Sequence, residues 1–239
     1  MFPYDPVLLA LVRTPPRSIA GVIQALQDIE GHCADSDGLK WFNWLYLQVT
    51  QAVEARVNSG GFTDPAWLAE LDVQFARLYF SALEASLSGQ PPPGCWQVLF
   101  ERRGWAAIAR IQFAIAGINA HINHDLPLAI GATFEVTGGN PQDSTRYKDY
   151  TALNTTLDGL IESAKQTLHV RLLSDALPPV SHVDDTIAAW SVSAAREAAW
   201  RNADLLWHLR AVPPLTSAFM DTLDGLTTVA GKALLVPVP

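Results

Sequence analysis

Basic residues are scarce in this 239-residue chain. Sixteen Lys and Arg stand against 24 Asp and Glu, for a formal net charge of -8. A nucleic-acid surface must be basic to displace counterions from phosphates, so no nucleic-acid partner is expected. Charge of either sign is low, at 17% of residues, while 49% are hydrophobic. That balance excludes a disordered chain. Cysteine occurs twice, as Cys33 and Cys95, with no CxxC pair. A disulfide framework and a structural zinc motif are therefore absent, and two reduced thiols in a cytoplasmic protein are expected. Long apolar runs are missing as well. The greasiest stretch, Trp105 to Ala120, is interrupted by Arg110, Gln112 and Asn119, whereas a membrane span needs about 20 mostly apolar residues. The run Val7 to Val12 follows Asp5 rather than a basic region, so no signal peptide and no membrane partner are expected. There is no glycine-rich phosphate loop, no G-x-S-x-G and no H-E-x-x-H. Glu-x-x-His pairs of the kind that hold di-iron sites in helical bundles are lacking too.

Proline and glycine gather at punctuation points such as Pro15-Pro16, Gly60-Gly61, Pro91 to Gly94, Gly138 to Pro141 and Pro213-Pro214. Long helix-compatible segments lie between them. Apolar spacings of three and four predict helices over about 18–31, 38–57, 64–83, 96–124, 144–173, 184–209 and 215–235. A break is expected near Gly104, and a short restart at Asp125-Leu126-Pro127. Asp37 and Asp64 are expected N-caps, with Pro65 in a first turn where its missing N–H costs nothing. Residues 1–17 read as an N-terminal extension. The β-branched run Ala132 to Thr137 makes 130–143 a loop or short extended piece. The expected architecture is all-α: one domain, 1–239, a bundle of six or seven helices around a central buried helix.

The chemistry concentrates at the end of that central helix. Asn119, His121, Asn123, His124 and Asp125 place five polar side chains in seven residues on an otherwise Ala, Ile and Phe background. Burying an unpaired polar group costs about 1–3 kcal/mol, so such a cluster is either hydrogen-bonded or used. His121 and His124, one turn apart, suit a general acid/base pair oriented by Asp125. The same spacing suits two imidazoles on a divalent metal, with Asp125, Asp149 or Asp72 completing the shell. A cap role for Asp125, opening the helix at Pro127, is the simplest structural alternative. Arg110 and Gly117 share the His121 face, and Gly117 would let another group approach closely. Two further seams could wall a pocket: Asn43, Tyr46 and Thr50, and Tyr147, Tyr150, Asn154 and Asp158, with Asp149 adjacent. A satisfied helix–helix seam is the plainer reading of the first, and a solvated helix face that of the second. His32, His169, His182 and His208 are isolated, and Asp184-Asp185 has no second acidic motif to pair with.

The run Gly117-Ile-Asn-Ala-His-Ile-Asn-His-Asp-Leu-Pro-Leu-Ala129 resembles the signature of an uncharacterised bacterial all-helical family, a domain of unknown function. Asp37 to Thr50, Leu71 to Phe80, Asp149-Tyr150 with Asn154, and Trp200 to Trp207 are similar to its other landmarks. The resemblance implies a helical fold and assigns no activity. A weaker likeness, to zinc-dependent phospholipases C and single-strand nucleases, is limited to an all-helical body with one His/Asp cluster.

These readings lead to three expectations. The first is an intracellular small-molecule enzyme that isomerises, cyclises or hydrolyses a largely apolar substrate, with no required cofactor. Its catalytic residues are His121, His124 and Asp125; Arg110, Asn119, Asn43, Tyr46, Tyr150 and Asn154 bind the substrate. The second is a metal-dependent hydrolase with His121 and His124 as ligands. The third is a non-catalytic binding or interaction protein.

Overall fold

The computed structural model describes residues 5–172 and 191–237, with the side chains of 169–172 excepted. Among the described residues there is no strand. The helices are α1 (Pro6–Val12), α2 (Ile19–His32), α3 (Gly38–Asn58), α4 (Pro65–Leu87), α5 (Gly94–Arg102), α6 (Arg110–Ala120), α7 (Leu126–Thr137), α8 (Ser144–Thr151), α9 (Asn154–Leu172), α10 (Val192–Leu209) and α11 (Pro213–Leu234). One π-helical turn, His121–Asp125, joins α6 to α7 without a loop. The expected helix start at Asp184, the pair Asp184-Asp185, His182 and Trp190 lie outside the described residues.

Local chemistry sets most helix starts. Asp5, Ser18, Asp37, Asp64, Asp143 and Ser191 each accept a hydrogen bond from a first-turn backbone N–H, the service an N-cap provides. Asp37 does more. Its carboxylate also receives Nε of Arg103 at 2.7 Å and Nη2 of the same guanidinium, while Gly38 N–H donates to Arg103 O. Both side chains are buried, so this bidentate pair fastens the start of α3 to the turn between α5 and α6.

The α6–π–α7 rod is the centre of the molecule. Every residue from Ile111 to Ala120 is buried. α6 lies against α3 on one side and α11 on the other; α7 lies between α4 and α10. Gly117 is the point of closest approach. A Cβ there would sit 2.3 Å from ring atoms of Phe42 on α3, so the aromatic ring occupies the space a side chain would need.

Three expectations are corrected. Part of the expected N-terminal extension is helical: α1 buries Leu8, Leu9 and Val12 against α2 and α4. Residues 130–137 are helical rather than extended. Ile130, Thr133 and Phe134, at i, i+3 and i+4, face the core, and Thr133 and Thr137 return their hydroxyls to the carbonyls of Ala129 and Thr133. Burial of that face overrides the β-branched preference. The helix stops at Gly138, whose φ of +77° suits glycine. The expected helix over 144–173 is two, α8 and α9, divided at Ala152–Leu153 where Arg196 takes the Tyr150 carbonyl.

Replacing Gly117 with Ala tests the close approach. Ala is intrinsically better in a helix by about 1 kcal/mol, but overpacking costs about 1–3 kcal/mol. Urea unfolding should therefore show a lower midpoint for Gly117→Ala. An unchanged or higher midpoint would mean that Phe42 moves aside freely.

Candidate active site

The widened turn decides the site. In it Leu126 N–H reaches back to His121 O, five residues earlier, and Pro127, which has no N–H to give the preceding turn, follows directly. π-turns of this kind recur at functional sites. Here three donors meet on one carboxylate, two of them from the turn. Asp125 Oδ2 accepts from His121 Nδ1 and from Trp96 Nε1, both at 2.9 Å, and Oδ1 accepts from His124 Nδ1 at 2.7 Å. Asp125 is 1% exposed and keeps a helical backbone with no capping bond, so it is not an N-cap. Burial works against its charge, but the hydrogen bonds from His121 and His124 outweigh this and hold its carboxyl below the ordinary value.

The two imidazoles turn different faces to the protein. Around His121 stand Phe42, Tyr46, Phe75, Tyr79 and Trp96. Phe75 lies face to face with the imidazole at 3.4 Å, and the Tyr46 ring is 4.6 Å away. Because Nδ1 donates to Asp125, Nε2 carries the lone pair; it is buried and has no hydrogen-bond partner. The hydroxyls of Tyr46 and Tyr79 and the Oδ2 of Asp72 are in the same condition. Burial, opposed by Asp125, lowers the His121 pKa, so the ring is neutral. Burial pushes both phenols well above their ordinary value, with the Asp72 charge adding to the effect at Tyr46. Burial likewise raises Asp72 to about 7, with Glu54 adding repulsion. Buried polar groups without partners are few in native proteins and cost about 1–3 kcal/mol each. Three of them, His121 Nε2, the Tyr46 hydroxyl and Asp72 Oδ2, belong to this neighbourhood, whereas the Tyr79 hydroxyl lies towards Cys33, Arg103 and Asp37.

His124 looks the other way. Burial opposes its charge, yet Asp125 and then Asp224 raise its pKa. Cys95 Sγ, a ring nitrogen of His124 and a carboxylate oxygen of Asp224 lie within 4.8 Å of one another. Asp224, on α11, also accepts from the backbone N–H groups of Gly94 and Cys95 at 2.9 Å each, covering the start of α5.

The other expected site residues disperse. Tyr46 stays with His121. Arg110 sits at the opposite end of α6, 4.4 Å above the Trp41 ring. It lines a cleft of about 310 Å³ with Asp35, Gly38, Trp105 and Phe113, a cleft that does not reach His121. Asn119 donates to Thr227 O and accepts from Asn123, tying the rod to α11. Asn43 donates to Leu26 O, binding α3 to α2. Tyr150 and Asn154 form a separate cluster with Arg196, whose guanidinium lies 3.9 Å over the Tyr150 ring and donates to Asn154 Oδ1. Asp149 accepts from the N–H groups of Thr63 and Asp64 and so serves the start of α4. Thr50 returns its hydroxyl to Tyr46 O. A second cleft, about 190 Å³ between α7, α10 and α11, also lies away from the histidines. Sequence reasoning missed Trp96, Phe75, Tyr79, Cys95 and Asp224. Only Phe75 and Tyr79 carried a local signal, since with Asp72 they mark one face of α4 at i, i+3 and i+7.

Fold and site together define an all-α protein with a buried carboxylate shared by two histidines. The chain belongs to DUF5995, a family of unknown function, whose model matches residues 19–237. No curated protein and no solved structure matches it significantly.

Asp72 supplies a test of the neighbourhood's electrostatics. Its folded pKa of about 7 lies above the ordinary 3.8, so between these values the folded state retains a proton that the unfolded chain has released. Stability from this group therefore falls as pH rises through that window, by up to about 1.4 kcal/mol per unit. Asp72→Asn cannot titrate. Its stability relative to wild type should rise from pH 4.5 to pH 7 and then level off in chemical denaturation. A pH-independent difference would place Asp72 in contact with solvent or a cation.

Proposed function

We propose that this chain is a small-molecule enzyme in which His121, held by Asp125, is the general acid/base for a largely apolar substrate. The observation that carries the reading is the His121 Nε2 atom, a basic nitrogen of fixed tautomer, buried in an aromatic box with nothing to accept from. Asp125 orients the ring and stabilises the imidazolium that forms when Nε2 takes a proton. His124 occupies the other oxygen of that carboxylate and helps keep it ionised.

Tyr46 remains an un-ionised donor for an oxygen of the substrate, and the surrounding ring faces, Tyr79 among them, accept its apolar body. Phe75 is the cover. It is partly exposed and lies flat on the imidazole. Its rotation uncovers Nε2. Proton transfer by a positioned group contributes typically 10²–10⁴-fold to rate, which suits isomerisation, cyclisation or hydrolysis and requires no cofactor at His121.

Incubating the full chain with a cell metabolite extract, followed by untargeted mass spectrometry, tests the proposal. Wild type should consume one or more apolar species. His121→Gln should slow that conversion by roughly 10²–10⁴-fold while still binding the compound, and Phe75→Ala should retain conversion. Equal turnover by His121→Gln would remove His121 from the chemistry. Capture of a compound that is never altered would make the protein a binder.

A further inference from the structure

On the side of Asp125 away from the aromatic box, three unlike side chains from three distant parts of the chain converge. Cys95 is the second residue of α5, His124 belongs to the π-turn, and Asp224 is in the middle of α11. Their ligand atoms lie within 4.8 Å of one another, with Cys95 and His124 buried. We propose that Cys95 Sγ, His124 Nε2 and an oxygen of Asp224 form a site for one zinc-type divalent ion, with Asp125 as the group that orients the imidazole. The site stands apart from the role given to His121.

Four observations carry this assignment. First, His124 Nδ1 is engaged by Asp125 Oδ1 at 2.7 Å. That leaves Nε2 as the nitrogen for an ion, in the carboxylate–imidazole–metal arrangement that fixes tautomer and ring orientation. Second, the donor set is thiol, imidazole and carboxylate; burial and the neighbouring carboxylates keep Cys95 protonated here, and an ion would take the sulfur as thiolate with release of that proton. A sulfur ligand selects zinc or a similar transition ion over magnesium or calcium, which take oxygen. Third, carboxylates flank His124 on both sides, Asp125 and Asp224, so the position is anionic. Fourth, the place is built for close approach. A Cβ on residue 94 would come within 2.9 Å of both Asp224 Oδ2 and Thr228 Oγ1, so a side chain there would have to displace one of them. Thr228 Oγ1 is itself buried and without a partner.

Ligand atoms around a tetrahedral zinc are roughly 3.5 Å apart, so the three groups would draw together by about an ångström. The two Asp224 oxygens each accept one backbone N–H, leaving a lone pair on either for the ion. Three protein ligands leave one position open, as catalytic zinc sites do and closed structural sites do not. The ion would also join α11 to α5 and to the central rod across 129 residues of sequence.

The test uses the full chain stripped with a chelator and dialysed. Cobalt(II) should bind at one ion per chain and give a thiolate-to-metal charge-transfer band, and zinc should displace it. Cys95→Ser should lose the band. Asp125→Asn, which leaves all three ligands in place, should weaken zinc by about 10–100-fold. X-ray absorption at the zinc edge of the wild-type complex should show one sulfur among nitrogen and oxygen scatterers. That spectrum answers the question even if Cys95→Ser fails to fold. Absence of the cobalt band in wild type of native helix content would overturn the assignment, as would a zinc shell without sulfur or full binding by folded Cys95→Ser.

Discussion

A single buried carboxylate sets the terms for the middle of this protein. Asp125 is charged where almost no water reaches it, and an unpaired charge in such a place would cost several kcal/mol. Three N–H donors answer that cost: two imidazoles from its own turn and the Trp96 indole from α5. The π-turn is the backbone's contribution. By widening one turn ahead of Pro127, it lets residues at i, i+3 and i+4 meet on one carboxylate while the rod continues from α6 to α7. The placement of α5, the tautomers of both histidines and the surroundings of both free ring nitrogens follow from it.

The carboxylate also separates two environments. On the His121 side lie apolar rings, the unpartnered Tyr46 hydroxyl and a carboxyl that holds its proton to about pH 7. On the His124 side lie a thiol, a second carboxylate and two backbone N–H groups. The first suits proton transfer to an apolar molecule and the second suits a cation. Other polar groups in the interior behave differently. Asn43, Asn119, Asp149, Tyr150 and Asn154 each make a hydrogen bond that joins one helix to another. Their polarity is used in holding the bundle together, although Asn43 Oδ1 is left buried without a partner.

Most helices were legible because their causes are local. Aspartate and serine caps, first-turn proline and apolar spacing act within a few residues. The run Asn119 to Asp125 stood out because five polar groups on a greasy helix conflict with its surroundings. The helical state of 130–137 was not legible. Its β-branched residues favour extension, and only the facing surfaces of α4 and α10 reverse that preference. The same holds for α1, whose three buried residues matter only because α2 and α4 stand where they do.

The sequence by itself determined the all-helical class, the caps that start its helices and the presence of an imidazole–carboxylate cluster at the end of the central rod. Tertiary structure alone decided the partners of that cluster: Trp96 and Cys95 from α5, the rings of α3 and α4, and Asp224 from α11. Capping and helical periodicity are short-range, so a reader of the sequence meets all their parts together. The contacts of Asp125 and His124 span up to a hundred residues, and no spacing rule operates at that distance. Only packing brings those side chains together.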